Sequence, residues 1–512
     1  PDPTVERQSG LLKPQINNSN ILGNSVSIPY YNVISDNKDL TFTTHVFENN
    51  LRMIENEYRQ VSKNSDFQLN FGFVDGYKSS LESKKKNIFN FFSKYKQKLN
   101  LEKFTSSDLI ISIERVTNDT FLKVFDQNIQ DSGLKPKNSN ILESKAELFL
   151  NHENYNFDTG LIVYENLQKK SSDRYQYVLP YYNYNKIFSE NIFYGSLNIS
   201  STGNNNLIDT NVLQSTVTND LNYVSNDFVS NIGFKNNFEV DVKNLNSIGK
   251  NSSQYKSSPQ VELMSIISFN SSLPLIKKQQ SYNNYLTPKL SLKINPSDMK
   301  NYKETEKNIN VNNIFNNNRL SLSDSLESGK SLSVGIDYKK ENAKNSNNYM
   351  EINLAKIFRD QEETFIPQNT TINKKESNLF GSIKTSFDEL LKFEYNFALD
   401  KNYKNTEYNE LNTSINFKNL KSEFNFIKES GIMGDDNIFE NSTKYELNED
   451  NSISFNTRRN RKLNLTEYYN LVYEYKNDCL TVGVKYKKTY YEDRELKPSE
   501  NLFFTLSIIP LT

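Results

Sequence analysis

The stretch Phe393-Glu394-Tyr395-Asn396-Phe397-Ala398-Leu399 decides the class of fold, because apolar and polar residues alternate along it. Alternation of this kind places one set of side chains on each face of a β-strand. Similar stretches recur, for example at Leu463-Asn464-Leu465 and from Leu502 to Ile508. In a soluble sheet the apolar face would pack on a core. In an outer-membrane barrel it would face lipid, and the polar face would line a lumen.

The composition is typical of a β-protein that is rich in aromatic residues but has no large dry core. The chain has 512 residues, with 31 Tyr and 33 Phe, yet its mean hydropathy is only −0.72. Its 13 Pro and 16 Gly are few, which argues against a linker, a collagen-like segment or a Pro-rich disordered protein. A half-buried all-β chain explains these values. A soluble Asn-rich β-protein from an AT-rich genome explains them equally well.

Charge and motifs exclude several classes of function. The 61 basic and 62 acidic residues give a net charge of −1, so nothing steers the chain to nucleic acid. No apolar run is long enough for a transmembrane helix. His45 and His152 lie in unrelated contexts, and the chain has no nucleophile elbow, phosphate-binding loop or HExxH motif. We therefore expect no nucleic-acid partner, no metal, no cofactor and no catalytic residue.

Strand-like runs recur at the spacing of an antiparallel meander. The connectors between them differ in length: Asn64-Ser65-Asp66 is turn-sized, whereas Asp126–Leu142, Asn295–Asn313 and Asp360–Asn378 are long and polar. Short turns on one side and long loops on the other are usual in outer-membrane barrels, although soluble sandwiches also have uneven loops. The predicted strand runs are Val26–Ile28, Leu40–Val46, Leu51–Tyr58, Phe67–Phe73, Leu109–Val116, Glu147–Leu150, Gly160–Tyr164, Leu290–Ile294, Leu332–Tyr338, Ile352–Ile357, Ile415–Leu420, Ile453–Thr457 and Val482–Tyr486.

Two prolines, Pro14 and Pro29, interrupt the first strand-like runs. Each removes one backbone N–H from a hydrogen-bonded ladder. Taken alone, this pattern favours an edge strand or a bulge.

Three segments, in the same order along the chain, resemble the LptD family, the lipopolysaccharide-assembly outer-membrane protein also called the organic-solvent-tolerance protein. The first runs from Asp2-Pro3-Thr4-Val5 to Pro29-Tyr30-Tyr31 and is similar to the family's junction between periplasmic domain and barrel. The second runs from Leu286-Thr287-Pro288 to Ser328-Gly329 and is similar to a barrel hairpin. The third, from Glu467-Tyr468-Tyr469 to Leu502-Phe503-Phe504, is similar to the C-terminal strands.

The resemblance implies an all-β fold: a single large antiparallel transmembrane β-barrel of about 26 strands, with long extracellular loops and short periplasmic turns. Residues 1–10 would be the junction from an N-terminal periplasmic jelly-roll domain that this sequence does not contain, and residues 11–512 would be the barrel. The implied function is that of a non-enzymatic translocon that inserts lipopolysaccharide into the outer leaflet. The implied partners are lipopolysaccharide, an LptE-like plug lipoprotein, an LptA-type periplasmic bridge acting through the N-terminal domain, and the barrel-assembly machinery.

The resemblance also gives the two prolines a role, because the family has prolines in its first two strands. A barrel closes by pairing its first strand with its last, here Leu502 to Ile508, and prolines near this joint would leave it with fewer hydrogen bonds. We therefore predict a lateral gate that opens there to release lipid. The predicted gate residues are Pro14, Pro29, Leu502, Phe504, Leu506 and Ile508.

Cys479 is the single cysteine of the chain, so it has no internal disulfide partner. The family joins its barrel to the periplasmic domain by disulfides near this position, and the periplasm permits them. The resemblance therefore implies a bridge from Cys479 to the N-terminal domain. Family members carry an adjacent pair of cysteines where this chain has one, which puts the number of bridges in doubt, and a free thiol is the alternative.

Two other classes of protein compete with this interpretation. One is a different outer-membrane barrel, either a porin or a TonB-dependent receptor. A receptor would need an N-terminal plug and an energy-coupling box, which the sequence does not show, and a porin would be smaller. The other is a soluble Asn-rich surface β-protein, which would need no detergent.

Overall fold

A computed structural model describes residues 7–48, 50–78, 85–129, 133–477, 480–490 and 498–508. Most of them belong to one antiparallel sheet, in which each wall strand pairs with the next and the last pairs with the first. Among the described residues, helix is limited to one turn of α-helix, α1 (Phe121–Val124), and two short 3₁₀ turns at Ser171–Arg174 and Gln368–Thr370. In the described ranges no helix is both long enough and apolar enough to cross a membrane.

Within the part of the chain that the structure describes, the sheet contains 29 strand segments. Those of the first half are β1 (Gly10–Leu11), β2 (Gln15–Ser19), β3 (Gly23–Ser35), β4 (Lys38–Phe47), β5 (Arg52–Val61), β6 (Ser65–Tyr77), β7 (Lys86–Lys98), β8 (Ser106–Val116), β9 (Ile141–Asn151), β10 (Tyr155–Asn166), β11 (Tyr175–Ile192), β12 (Gly195–Ile208), β13 (Val212–Ser225), β14 (Phe228–Val229) and β15 (Lys235–Lys250). Those of the second half are β16 (Gln260–Ser272), β17 (Leu275–Lys278), β18 (Tyr282–Asn295), β19 (Gly329–Asn342), β20 (Tyr349–Arg359), β21 (Leu379–Phe387), β22 (Leu391–Leu399), β23 (Thr406–Phe417), β24 (Leu420–Glu429), β25 (Asn437–Glu446), β26 (Asn451–Asn460), β27 (Leu465–Lys476), β28 (Leu480–Thr489) and β29 (Ser499–Ile508).

Three wall strands are each split into two segments. β1 and β2 both pair with β3, β13 and β14 both pair with β15, and β16 and β17 both pair with β18. The 29 segments therefore form a closed barrel of 26 wall strands, which confirms the predicted all-β barrel.

The two faces of the wall have opposite chemistry. On β4, Thr41, Thr43 and His45 are buried inside the barrel, whereas Phe42 and Val46 are exposed on the outside. On β16, Val261 is 74% exposed while Met264 and Ser268 are buried. A soluble sheet buries its apolar face, but this wall presents it outward, as a lipid-facing barrel does. The alternation in Phe393–Leu399 follows the same rule, since Ala398 is buried in the interior and lies on the same face as Glu394 and Asn396.

Connections at the two ends of the barrel differ in length. At the end that holds Gly10 and Ile508, here called the terminal end, connections such as residues 36–37 and 62–64 are short. At the opposite end, here called the loop end, lie the three longest connections: the β8–β9 loop, described at residues 117–129 and 133–140, the β18–β19 loop (296–328) and the β20–β21 loop (360–378).

The predicted strands are confirmed apart from two segments that contain turns. Lys418 and Asn419 separate β23 from β24 within the predicted run Ile415–Leu420, and Asn464 lies in the turn before β27. Lys418 and Asn464 both have φ of 48°, in the left-handed region that ends a strand. The apolar residues on either side of each turn are of types that favour β-strands, so the sequence pattern does not reveal the turn between them.

Apolar packing is concentrated where the long loops fold into the lumen. The β8–β9 loop contributes Phe121, Leu122 and Phe125 to a cluster with Phe47 and Met53 of the neighbouring wall. A second cluster joins the β18–β19 and β20–β21 loops to β20, β21 and β22. The barrel interior is therefore partly filled by its own loops at the loop end.

Candidate lateral gate and lumen

The joint that closes the barrel, here called the seam, is short. β2 pairs with β29 over five residues, from Gln15↔Thr505 to Ser19↔Asn501. On its other side β29 pairs with β28 over ten residues, from Thr489↔Ser499 to Leu480↔Ile508. The part of β29 nearest the terminal end therefore has a partner in β28 but none in β2 along the described pairing.

Pro14 lies where the seam pairing stops. Asn20 N–H donates to the carbonyl of Glu500 (3.1 Å), which marks residues 20 and 500 as a hydrogen-bonded pair. Hydrogen-bonded and non-hydrogen-bonded pairs alternate along an antiparallel ladder, so Pro14 and Leu506 would be a hydrogen-bonded pair in the same register. Because proline has no N–H, the ladder loses a donor at this step.

Pro29 weakens the other side of the first wall strand. Leu12 N–H donates to the Pro29 carbonyl (2.8 Å), and the return bond of this pair cannot form because Pro29 has no N–H. The register then shifts: Leu11 faces Tyr30, but Gln15 faces Ser27. The two residues Lys13 and Pro14 thus oppose one residue of β3, which is a β-bulge.

The seam is held more firmly at the loop end. In addition to its backbone bond, Asn20 donates from Nδ2 to the Pro498 carbonyl (3.0 Å) and accepts at Oδ1 from Glu500 N–H (3.0 Å). One asparagine therefore supplies three hydrogen bonds across the seam at that end, whereas toward the terminal end the seam pairing stops at Pro14. The geometry makes the terminal end the weaker part of the seam.

The structure places the predicted gate residues as follows. Leu502 faces Asn18 and Phe504 faces Ile16 across the seam, while Leu506 lies beyond the last described pair. Phe504 and Leu506 are both exposed on the outer surface. Ile508 pairs through its backbone with Leu480 of β28. Cys479 lies outside the described residues, so its predicted disulfide remains a prediction.

The lumenal side of the seam was missed by the sequence analysis. Asn17 and Phe503 face each other across the seam, and both are buried inside the barrel. An alternating pattern shows that one face of β29 is apolar, but Phe503 is itself apolar and lies on the other face. Only the closure of the barrel shows which residues of the two terminal strands meet.

A cavity of about 760 Å³ lies inside the barrel next to the seam. Pro29, Ser27 and His45 line one side of it, and Lys485 of β28 lines the other. It adjoins a cavity of about 890 Å³ at the terminal end, because Arg59 is among the residues that line both. These two cavities extend from the terminal end to the inner side of the seam.

The wall of the first cavity contains a buried polar chain. Ser27 Oγ and His45 Nδ1 are 2.6 Å apart, and His45 Nε2 lies 3.6 Å from Glu55 Oε2. Asn70 donates to Glu55 (2.7 Å), and Asn90 donates to Asn70 (2.8 Å). This chain links the lumenal faces of five consecutive strands, β3 to β7. In the described residues no group of three or more His, Cys, Asp or Glu could hold a metal ion.

The β8–β9 loop crosses the lumen behind the seam. On the β4–β9 side it is held by the apolar cluster around Phe121 and Phe125. On the opposite side Asp126 accepts from Lys487 Nζ of β28 (2.9 Å), and Gln127 accepts from Lys485 Nζ (3.2 Å). Burial alone would raise the pKa of Asp126, but the charges of Lys487 and Lys135 outweigh it and lower the pKa from its usual 3.8 to about 2. The carboxylate is therefore charged at neutral pH.

The β18–β19 loop is held differently, by ionic groups that are fully buried. Arg319 forms an ion pair with Glu327 in the same loop and donates to Ser331 and Ser333 of β19 (both 3.0 Å). Arg359 at the end of β20 also pairs with Glu327. Burial lowers the pKa of Arg319 to about 9, so it stays protonated at neutral pH. This network fixes the loop to the wall opposite the seam.

The segment before β1 is attached to the wall at the terminal end. Arg7 forms an ion pair with Asp39 of β4, which also accepts from Arg59 Nε of β5 (2.8 Å). Ser9 Oγ accepts from the backbone N–H of Val33 (2.8 Å). The predicted junction, residues 1–10, thus contacts β3 and β4 close to the seam where it is described. Its boundary remains a prediction.

These features define a class of protein: an outer-membrane β-barrel with an apolar outer belt, a polar lumen and a weak joint between its terminal strands. Residues 90–431 match the family described as "LptD: LPS transport system D". Because this match covers more than half of the 512 residues, the chain belongs to the LptD family. Localisation in the outer membrane as an integral β-barrel follows, and the soluble alternative is wrong.

Solved structures similar to this chain include two receptors and an iron transporter. The alcaligin receptor FauA from Bordetella pertussis has 8% identity and a TM-score of 0.34, with 98% of this chain and 76% of that chain covered. The FrpB iron transporter from Neisseria meningitidis (F5-1 variant) has 8% identity and a TM-score of 0.33, with 98% and 82% covered. The receptor Fiu from E. coli K12 has 9% identity and a TM-score of 0.30, with the same coverage. No curated protein matches the chain.

Proposed function

We propose that this barrel is a non-enzymatic translocon that inserts lipopolysaccharide into the outer leaflet, and that the lipid part leaves through the seam. Family membership supports the substrate. The seam supports the route, because only five residues of β2 pair with β29 and the pairing ends at Pro14. This short closing joint is the observation that carries the proposal.

The energetics of the wall favour opening at this place. Each ladder hydrogen bond contributes about 0.5–1.5 kcal/mol net in water, and an unsatisfied backbone group in lipid costs several kcal/mol. Opening a joint costs least where the fewest bonds must break. The seam has few bonds, because its pairing stops at Pro14. The bulge at Lys13–Pro14 also interrupts the pairing of the same wall strand with β3.

The interior offers a route that suits an amphipathic substrate. The cavities from the terminal end to the seam are lined by polar and charged groups such as Arg59, Gln68 and Glu57, which suit sugars. Phe504 and Leu506 face outward beside the seam and suit acyl chains. A glycolipid held at the open seam would keep its sugar in the lumen and its chains in lipid.

Several partners of this proposal come from family membership. A periplasmic LptA-type bridge would deliver lipopolysaccharide through an N-terminal domain, with Cys479 as the proposed disulfide link to it. An LptE-like lipoprotein would occupy part of the lumen, and the barrel-assembly machinery would insert the barrel. Non-reducing mass spectrometry of the full-length protein tests the link, and an alkylatable Cys479 thiol would refute it.

Photocrosslinking to lipopolysaccharide in cells tests the route. A photoreactive residue is placed at Ser27 or Phe503, beside the seam, and for comparison at Asn412, a lumen-facing position of β23 far from it. We expect crosslinks at the two seam positions that require the upstream transport machinery, and few at Asn412. A correctly inserted barrel that gives no crosslink at either seam position would exclude lateral exit and favour a porin-like or receptor-like barrel.

A further inference from the structure

Two lysines of β28 lie on the lumenal face beside the seam. Lys485 is opposite Phe503 of β29, and Lys487 is opposite Asn501. Phe503 in turn faces Asn17 of β2 across the seam. Adjacent strands are about 4.8 Å apart, and β29 lies between β28 and β2. The backbone that carries the two lysines is therefore two strand spacings from the first wall strand. A group that passes from the lumen into the seam passes next to them.

In the resting barrel these lysines contact the β8–β9 loop. The Asp126 carboxylate accepts from Lys487 Nζ at 2.9 Å and from Lys135 Nζ at 2.9 Å. The Gln127 side-chain oxygen accepts from Lys485 Nζ at 3.2 Å. An ionised carboxylate and an amide oxygen thus present to the two lysines the same kind of acceptor atoms that a phosphate or carboxylate group would present.

The position of this contact matters as much as its chemistry. Asp126, Gln127 and Asn128 line both the 760 Å³ cavity and a second cavity of about 210 Å³ that lies toward the loop end of the seam. The second cavity is also lined by Asn17 and Lys487. The loop segment therefore separates the two cavities along the inner side of the seam. At the boundary between them, Gln127 and Asp126 accept hydrogen bonds from Lys485 and Lys487.

The loop is bound unequally on the two sides of the seam. Its apolar residues are buried among β4–β9, whereas its described contacts with β28 are polar. Withdrawal of Asp126 from β28 would leave lysine charge in a partly buried site without its partner, which is unfavourable. Replacement of Asp126 by another anion would avoid this cost, because one charge-assisted contact would be exchanged for another.

We propose that Lys485 and Lys487 form a binding site for the phosphate or carboxylate groups of an anionic glycolipid, and that Asp126 and Gln127 occupy this site until the substrate displaces them. This inference rests on the proposed function, since it names a contact of the transported lipid. It assigns the β8–β9 loop the role of an internal substitute for the substrate's anionic group. Arrival of the anion and release of the loop from β28 are then one exchange reaction.

The test uses the full-length translocon in proteoliposomes, with a photocrosslinking residue at Asn17. The substrates are lipopolysaccharide and the same lipopolysaccharide after phosphatase treatment. We expect the double variant Lys485→Gln, Lys487→Gln to lower crosslinking of the untreated substrate by about tenfold or more, as expected for the loss of charge-assisted hydrogen bonds. Crosslinking of the treated substrate should be low and should not change. The matched control is Lys488→Gln. Lys488 lies on the outer face of the same strand beside Glu500, so its replacement should not change crosslinking.

A second pair of variants separates substrate binding from a role in holding the loop. Asp126→Asn weakens the loop contact but keeps both lysines, so crosslinking should be equal to or above that of the unmodified protein. The exchange Asp126→Lys with Lys487→Asp keeps an ion pair and should keep the lumen closed to large solutes, yet crosslinking should fall. If Asp126→Asn and the lysine variants lower crosslinking equally, the contact only holds the loop and the inference is wrong.

Three further outcomes are decisive. Equal crosslinking of untreated lipopolysaccharide in the double lysine variant and the unmodified protein would overturn the inference, and the proposed function would stand. No crosslinking of any lipopolysaccharide by the unmodified protein would instead refute the proposed function. If inorganic phosphate binds the unmodified protein but not the double lysine variant, while crosslinking of untreated lipopolysaccharide at Asn17 is equal in the two proteins, the site takes free phosphate and not the lipid headgroup, which also overturns the inference.

Discussion

The seam and the β12–β13 joint are built from the same kind of strand but differ in how they are held. β12 and β13 pair over fourteen residues without a register shift, from Gly195↔Ser225 to Ile208↔Val212. The seam pairs over five residues and is bounded by a bulge. A joint with many ladder hydrogen bonds therefore keeps its two strands paired, whereas a joint with few such bonds costs less free energy to open.

Prolines mark this difference along the wall. Pro29 lies opposite the break between β1 and β2, and Pro288 of β18 accepts from Leu273 N–H (3.1 Å) at the break between β16 and β17. Pro180 of β11 lies in register shifts with both neighbouring strands. Each of these prolines coincides with a local break, as expected from its missing N–H. Of these breaks, the one at Pro29 adjoins the closing joint.

The largest expected effect comes from locking the seam. Asn17 and Phe503 are a non-hydrogen-bonded pair in the seam register, so their Cβ atoms are close enough for a disulfide. With Cys479 left in place, Asn17→Cys with Phe503→Cys should stop lipopolysaccharide delivery until a reductant is added, in comparison with the unmodified protein under the same reductant. Delivery is measured by the amount of lipopolysaccharide at the cell surface.

The matched control for this lock lies in the permanent wall. Asn412 of β23 and Asn425 of β24 face each other on the lumenal side. The Ser430 N–H donates to the Glu407 carbonyl (2.8 Å), so residues 407 and 430 are a hydrogen-bonded pair. Because the two kinds of pair alternate along the ladder, Asn412 and Asn425 are a non-hydrogen-bonded pair, as Asn17 and Phe503 are. Asn412→Cys with Asn425→Cys should leave delivery unchanged. If both locked barrels deliver normally, the seam does not open and differs from the wall only in its number of bonds.

The next largest effect is expected from breaking the buried ion pairs on the side of the barrel far from the seam. Glu327→Gln removes the carboxylate that pairs with both Arg319 and Arg359 and leaves two buried guanidinium groups without it. Loss of one partner from a buried ion pair costs about 3–5 kcal/mol. We expect thermal unfolding of the purified barrel in detergent at a lower temperature, whereas Glu376→Gln, which removes an exposed partner of Lys356, should have little effect. An unchanged unfolding temperature in Glu327→Gln would show that this network does not stabilise the wall.

A smaller effect is expected from the prolines. Replacing Pro14 and Pro29 by Ala restores two backbone donors beside the seam, each with about 0.5–1.5 kcal/mol of possible stabilisation. Amide hydrogen exchange along β2 should slow, and lipopolysaccharide delivery should slow with it. Pro288→Ala restores a donor at a break away from the seam and should affect neither. Faster or unchanged delivery in the double variant would contradict the proposed role of the prolines.

The smallest effect is a pH dependence of the β8–β9 loop contact. The pKa of Asp126 is lowered from 3.8 to about 2, so its ion pair with Lys487 contributes fully above pH 3.8 and is lost as the pH falls through about 2. Conductance of single barrels in planar bilayers should therefore be steady down to pH 4 and should rise between pH 4 and pH 2 as the loop leaves β28. Asp126→Asn should lack this step. The same step in Asp126→Asn would assign it to another group.

The sequence alone determined the class of fold and the family. Alternation in segments such as Phe393–Leu399 defines a two-faced strand, and repetition of this pattern over 512 residues requires a large sheet. Pro14 and Pro29 drew attention to the first strand because a missing N–H is a property of the residue itself and needs no neighbour to be known.

Tertiary structure decided which face is outside and which residues meet. Period-2 patterns are the same for a soluble sheet and a lipid-facing barrel, so only the closed wall shows that Val261 faces outward and His45 inward. The contact of Asp126 with Lys487 joins residues 361 positions apart, and no local pattern encodes such a pair. The bulge at Lys13–Pro14 likewise exists only relative to β3, because register is a property of two strands and not of one.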